Sequence, residues 1–541
     1  MQTYDYLFIM QRKINLGVVG CLLIMCLLPS LYKEFLGGEH SLSRIASTIL
    51  YVLPVCFLMA AIKKKWVFAC VSTIVFITSF LETMMVILYK NFLIAGNILA
   101  IFGTTVDEGT GFIAGTIHAL PWTIPCIIFY ALALYLHREQ TPVKDNLYAT
   151  LLFTILSLSF LFYQLRIRWK GNITTTFYVE QNILSRPPYN FWYQTYNAFE
   201  QTQTRKEIKL ADKMSFGAKR PKHKGKEIYV MAVGESLRYN SLSLGGYERE
   251  TTPPLESLSN ITLFSNYYST ANLTMYSVPQ ILTRATPDDF AQNYREKSIF
   301  KPFQECGFKT FVICAGNLLA SKGYEYLSNG CDQSFALTEN DDDKIATIVD
   351  SLADKYEKTF FIIQFKGNHG PYNNFHHEQD KYHPNPVTDH VGWDNHEAMV
   401  NAYDNTVLFT DDCVYHIIKA IDKQETLSAF MMVSDHGADY DTGVSDHGGN
   451  CNPRKAEYHV PLIFWHSDLW GKNHTAKCQN ISKNKNRAVN SDNVFYSVCD
   501  MADITIDKKY AHPEWSIFNA KLKDHERKLL VPDGKNFIVV K

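Results

Sequence analysis

The chain has 541 residues, of which 20% are charged and 46% hydrophobic, and its formal net charge is −1 at neutral pH. That length allows more than one domain, and a balanced charge without a basic stripe excludes the electrostatic footprint of a nucleic-acid binder. The averages hide a division near residue 167, with one apolar run after another before it and ordinary globular composition after it.

Five runs in the first part are long enough to span a bilayer, for which roughly 20 apolar residues are needed. They lie at about 14–32, 45–62, 66–89, 111–136 and 147–165. The first alone would pass for a signal peptide, but four more follow it, so a retained five-helix membrane domain over 1–167 is expected. Arg12 and Lys13 precede the first span, Lys63, Lys64 and Lys65 separate the second from the third, and Arg138 and Lys144 separate the fourth from the fifth. The opposite side carries only Lys33, Arg44 and Lys90 before the chain emerges, although Arg166, Arg168 and Lys170 run against the trend. The bias places the N-terminus in the cytoplasm and everything after the fifth span outside. Glu82, inside the third span, is either a functional group or the partner of a neighbouring helix.

Residues 168–226 read as a connector, partly interfacial where aromatics crowd 187–198, and "KRPKHKGK" (219–226) reads as a solvated linker rather than a lipid-attracting patch. From 227 to 541, short apolar runs alternate with amphipathic stretches. Strands are predicted at 227–233, 309–314, 359–365, 429–434 and 460–465, with helices at 343–358 and 405–423. This alternation predicts an α/β fold with a mostly parallel sheet, whose ligands gather at the carboxyl ends of its strands. Seven of the twelve cysteines lie in this outer part, and an odd number leaves at least one unpaired within the chain.

Three predicted strands end in polar chemistry. Glu235 and Ser236 follow the first, Asn368 and His369 the third, and Asp435 and His436 the fourth, with His447 a little further on. Two carboxylates and an imidazole converging from neighbouring strand ends form a donor set that zinc accepts.

The segments "VGESLRYNSLSLGGYERETTPPL", "STANLTMYSVPQILTRATP", "GNHGPY", "NAYDNTVLFTDD" and "SDHG…DHGG" closely resemble the phosphoethanolamine transferases that modify bacterial lipopolysaccharide. The resemblance covers nearly the whole chain, in the family's motif order. It implies five transmembrane helices followed by a periplasmic domain of alkaline phosphatase/sulfatase type, in the bacterial inner membrane. It also implies zinc, with one ion or a second divalent ion beside it, and transfer of phosphoethanolamine from phosphatidylethanolamine to a lipopolysaccharide core sugar or lipid A. By motif, Thr274 matches the nucleophile, and Glu235, Asp435 and His436 match its metal partners. His369 and His447 match histidines beside the phosphate or a second metal, and Asn317 and Lys322 match polar residues near the phosphoethanolamine group. Thr104 and Glu108 match residues at the phospholipid entrance.

The chain also departs from the pattern. Where relatives that modify lipid A have a disulfide flanking the nucleophile, Thr270 and Gln280 stand here; Ala438 follows "DHG", and Ala100 stands where an asparagine is expected. The first and third departures tilt the acceptor towards core sugars. Two alternatives remain: a glycerol-phosphate transferase of the lipoteichoic-acid synthase type, against which "TMYSVP" argues, and a non-catalytic lipid-binding scaffold, against which the full ligand set argues.

Overall fold

The computed structural model describes residues 16–36, 42–89, 92–103, 119–137, 143–168, 183–204, 214–316, 319, 324–338, 341–370, 372, 380–385, 395–440, 454–531 and 536–540. The chain divides into two compact units, Met1–Ile98 with Asp107–Phe199, and Leu99–Val106 with Glu200–Lys541.

In the first unit, helices Leu16–Leu36, Leu42–Ala60, Lys65–Tyr89, Leu120–Leu136 and Val143–Arg168 fall on the five apolar runs. Three stretches, Leu16–Phe35, Lys65–Tyr89 and Asn146–Tyr163, are long and apolar enough to cross a membrane; Arg44–Ala60 and Leu120–Leu136 are apolar but shorter. The burial pattern suits a hydrocarbon surrounding: Ile127, Leu151 and Phe162 are exposed, while Ser72, Ser79, Thr83 and Glu82 are buried between helices. In lipid, polar groups must be satisfied inside the bundle. Glu82 shows how. Its Oε1 accepts from Asn190 Nδ2 at 2.7 Å and its Oε2 from the Leu93 N–H at 3.0 Å, while Asn190 Nδ2 also reaches the Leu93 carbonyl at 2.7 Å. Of the two readings of this carboxylate, pairing with a neighbouring element is the one observed. It ties the chain after the third helix to helix Asn190–Thr204, on which Trp192, Tyr196 and Phe199 are exposed.

The second unit is built on a seven-stranded sheet in the order β2-β8-β7-β1-β6-β4-β5. These strands are β1 (Glu227–Gly234), β2 (Ile261–Phe264), β4 (Lys309–Ala315), β5 (Gln333–Leu337), β6 (Lys358–Gln364), β7 (Leu427–Ser434) and β8 (Leu462–His466); β3 (Tyr267–Tyr268) pairs instead with β9 (Val489–Asn490). Strands β7, β1, β6, β4 and β5 run parallel; at one edge β8 pairs antiparallel to β7 and β2 antiparallel to β8, which returns β2 to the common direction. Every residue of β1 and β7 is buried, because both faces are covered, and this is why they read as unbroken apolar runs rather than as alternating patterns. Successive residues of β1 feed opposite layers. Tyr229, Met231 and Val233 join Phe303, Phe360 and Trp470, whereas Ile228, Val230 and Ala232 join Tyr403, Ile417 and Phe430. Helices Ile345–Lys355 and His396–Asp422 supply the second layer.

The basic stretch before β1 keeps Pro221, Lys222, Lys224 and Gly225 exposed but is anchored at several points. Lys219 and Thr505 exchange backbone hydrogen bonds, each at 2.8 Å. Arg220 makes a two-pronged contact with Glu227, whose side chain is fully buried. His223 lies 3.0 Å from Asp503, and Lys226 Nζ reaches the Asp354 carbonyl at 3.1 Å. Composition reports the charges; the acceptors become visible only in the fold.

Candidate active site

Parallel neighbours β7, β1 and β6 end on the same edge of the sheet, and there the chain leaves each strand in a turn tied to the next. The Asp435 N–H donates to the Gly234 carbonyl at 3.0 Å, and the Asn368 N–H to the Glu235 carbonyl at 3.3 Å. Glu235, Asp435 and His436 are all buried and each offers a ligand atom within 4.8 Å of the others. His436 Nε2 is 3.3 Å from Asp435 Oδ2 and 3.5 Å from Glu235 Oε1. His436 Nδ1 donates to the Gly437 carbonyl at 3.0 Å, which turns the Nε2 lone pair towards the carboxylates.

Thr274 arrives from a different direction. It is the first residue of helix Thr274–Leu282, whose preceding residue, Leu273, provides no side-chain cap. Its Oγ1 lies 3.3 Å from Glu235 Oε2 and 3.1 Å from His436 Nε2. The approach segment is pinned along its length. Ser269 Oγ donates to the Asp435 carbonyl, the Thr270 N–H donates to Ser491 Oγ at 3.2 Å, and Asn272 Nδ2 donates to Glu457 Oε2 at 2.8 Å. Strand β10 (Lys528–Leu530), paired with β11 (Phe537–Val539), closes it from outside: the Leu530 N–H donates to the Thr270 carbonyl at 2.8 Å, and Leu530 bridges Ala271. Gln280, the other departure flanking Thr274, is buried and bonds its own helix through the Tyr276 carbonyl at 2.9 Å.

Two carboxylates this close in a dry site repel unless a cation or proton lies between them. Carboxylate oxygens, an imidazole nitrogen of fixed tautomer and a hydroxyl form a set that fits a divalent zinc-class ion. The uncapped start of the Thr274 helix adds a positive dipole end, which favours a phosphate at the same place.

The loop carrying His369 is set by residues without an obvious motif. Buried Asp342 accepts the N–H groups of Lys366 and Gly367 at 3.2 and 3.0 Å. Burial pushes its carboxyl up to about 7, against the lowering effect of those donors. Asn368 is held by Thr406 at 2.7 Å and by Thr410 at 3.2 Å, both on helix His396–Asp422. His369 Nδ1 contacts the Gly370 carbonyl at 2.6 Å.

Glu235, Thr274, Asp435 and His436 are thus brought together, and His369 lies on the adjoining loop. His447, Asn317, Lys322, Thr104 and Glu108 lie outside the described residues. Sequence reading did not single out Ser236, Gly437 or Asp342 as positioning residues. For Gly437 the signal is steric: an added Cβ would meet the Ala456 carbonyl oxygen at 2.0 Å.

Fold and site define an α/β domain that presents a metal-type cluster, with the Thr274 hydroxyl beside it, at the end of a parallel sheet. A family model described as Sulfatase matches residues 227–504, and the chain belongs to that family. Phosphoethanolamine transferase EptC of Escherichia coli K12 is 27% identical over 331 residues, covering 57% of this chain and 56% of the relative. The match therefore spans little more than half of that relative's length. The crystal structure of the C-terminal periplasmic domain of EcEptC from Escherichia coli is 26% identical, with a TM-score of 0.54 over 61% of this chain and 95% of that one. The same domain in complex with Zn is 24% identical with a TM-score of 0.53, again over 61% of this chain and 95% of that one. The integral membrane protein lipooligosaccharide phosphoethanolamine transferase A (EptA) from Neisseria meningitidis shares the fold across both units. Its TM-score is 0.66 at 17% identity, over 92% of this chain and 98% of that one.

Proposed function

We propose that the chain is a membrane-embedded, zinc-dependent transferase that moves phosphoethanolamine from phosphatidylethanolamine to lipopolysaccharide, with its second unit in the periplasm of a Gram-negative bacterium. The observation that carries this reading is the placement of Thr274 Oγ1 between Glu235 Oε2 and His436 Nε2, at the uncapped start of a helix. The kinship with EptC supports the cargo, and the apolar helices support the membrane location.

Glu235, Asp435 and His436 would hold the ion, with Thr274 beside them. A bound zinc ion lowers the pKa of a coordinated hydroxyl and offsets phosphoryl charge. The residues do the rest. Glu235 Oε2 and His436 Nε2 orient the Thr274 hydroxyl, and its proton leaves towards Glu235 Oε2, 3.3 Å away. Thr274 Oγ1 bonds to phosphorus as the phosphorus–oxygen bond to diacylglycerol breaks, and His369 donates a proton to the departing oxygen. Its Nδ1–H is directed to the Gly370 carbonyl, which makes Nε2 the nitrogen that exchanges the proton. In the second half, His369 Nε2 takes the proton of the acceptor hydroxyl, the acceptor oxygen bonds to phosphorus as the phosphorus–oxygen bond to Thr274 breaks, and Glu235 Oε2 returns the proton to Thr274 Oγ1. Embedding the chain in the bilayer that contains the donor raises the donor's effective concentration.

Intact-mass measurement on the purified full chain incubated with phosphatidylethanolamine tests the reading. A phosphoethanolamine adduct on the parent that is missing from Thr274→Ala supports it. A zinc-loaded parent that gains no adduct overturns it.

A further inference from the structure

We propose that Ser236 is a positioning residue that decides which oxygen of each carboxylate faces a bound divalent cation; this rests on the metal reading above. Ser236 is fully buried, sits between the turn's two anchors and has φ +55°, in the left-handed region that L-residues other than glycine seldom adopt. In that conformation one residue serves both carboxylates. Its N–H donates to Asp435 Oδ1 at 3.0 Å and its Oγ donates to Glu235 Oε1 at 2.7 Å. The turn is locked from behind, since Tyr403 donates its hydroxyl to the Ser236 carbonyl at 2.7 Å and the next N–H, of Leu237, donates to Ser434 Oγ at 2.9 Å.

The consequence falls on the opposite oxygens. Asp435 Oδ1 takes a second donor, the His436 N–H at 2.7 Å, so Oδ2 is the oxygen presented towards His436 Nε2. Ser236 holds Glu235 Oε1, the oxygen 3.5 Å from His436 Nε2, and leaves Oε2 to Thr274. The rotation of each carboxylate is thereby fixed, with Asp435 Oδ2 and Glu235 Oε1 turned to His436 Nε2 and Glu235 Oε2 kept for Thr274. Glycine would take this φ without strain and keep the N–H bond to Asp435. A serine held in a strained conformation points to a task for its hydroxyl, and the only acceptor assigned to it among the described residues is a candidate metal ligand. Hydrogen bonds to the ligands of a metal orient them and tune its affinity.

The test is a zinc titration of the full chain in detergent, stripped with chelator, read by competition with a chromophoric chelator and accompanied by thermal unfolding of the zinc-free protein. Ser236→Gly and Ser236→Ala are compared with the parent and with Glu235→Ala. Each serine variant is expected to bind zinc about 10- to 100-fold more weakly than the parent. Zinc-free Ser236→Gly should unfold at or above the parental temperature, because its turn is relaxed. A Ser236→Gly variant whose zinc affinity stays within about 3-fold of the parent would reduce the residue to a turn element and overturn the proposal. A parent that binds no zinc, like Glu235→Ala, would instead overturn the metal reading on which the proposal stands.

Discussion

Replacing Gly437 by alanine puts the smallest possible side chain at the tightest place in the site. The new Cβ would stand 2.0 Å from the Ala456 carbonyl oxygen and 3.2 Å from Arg238 Cβ, and backbone cannot yield as a flexible side chain does. Restoring a tolerable contact of at least 3.0 Å needs a shift of about 1 Å in a close-packed interior. Overpacking of this kind costs about 1–3 kcal/mol. The second unit has about 350 residues and unfolds with an entropy near 0.7 kcal/mol/K, so 3 kcal/mol lowers its Tm by about 4 °C. Activity suffers more, because the Gly437 N–H bonds the Glu457 carbonyl at 2.8 Å while the Gly437 carbonyl holds the His436 ring at 3.0 Å. Misplacing a reacting group by 1 Å costs about 100-fold in rate. Differential scanning fluorimetry and the covalent-loading rate on phosphatidylethanolamine would be measured side by side. A variant that melts within about 1 °C of the parent and loads at the parental rate would refute the close-approach argument.

Other expectations follow from buried charges. Burial pushes the Asp411 carboxyl up to about 8, partly offset by the Leu255 N–H at 3.2 Å. The unfolded chain therefore releases this proton from about pH 4 while the folded chain keeps it to about pH 8, so the group withdraws stability as pH rises through that window. Asp411→Asn should raise Tm relative to the parent at pH 8 and change it little at pH 4; an equal shift at both would refute this. Arg220→Ala leaves the buried Glu227 with Lys358, 3.6 Å away, and the Tyr229 hydroxyl, 3.4 Å away, and is expected to cost about 3–5 kcal/mol in denaturant unfolding. A loss below about 1 kcal/mol would mean that water reaches Glu227.

Much of the fold was legible because burial on both faces leaves an unmistakable trace. Strands β1, β4, β6 and β7 were predicted nearly to their ends, since "IYVMAV" and "AFMMV" have no polar face to interrupt them. Edge strands β2 and β5 were missed: Ile261–Leu263 are half-buried, and "QSFAL" mixes exposed and half-buried positions, so neither carries a long apolar signal. The long helix begins at His396, nine residues before the predicted start, because Asn395 caps it through the Ala398 N–H at 3.2 Å. Residues in the site could be located from motif and strand position, but the supporting geometry could not. That Ser236 takes a positive φ, or that Ala456 presses on Gly437, depends on segments far apart in sequence meeting in space.

The strand that closes the Thr274 approach has a further meaning in time. Leu530 follows Thr274 by 256 residues, yet its N–H is what holds the Thr270 carbonyl. On an elongating chain the cluster's carboxylates, its imidazole and the threonine all exist before the piece that clamps them is made. An unfinished polypeptide would carry these groups without the contact from Leu530 that holds the Thr270 carbonyl. This pair of strands is thus the last part of the enclosure to be made, and it holds through hydrogen bonds, so reductant would not undo it.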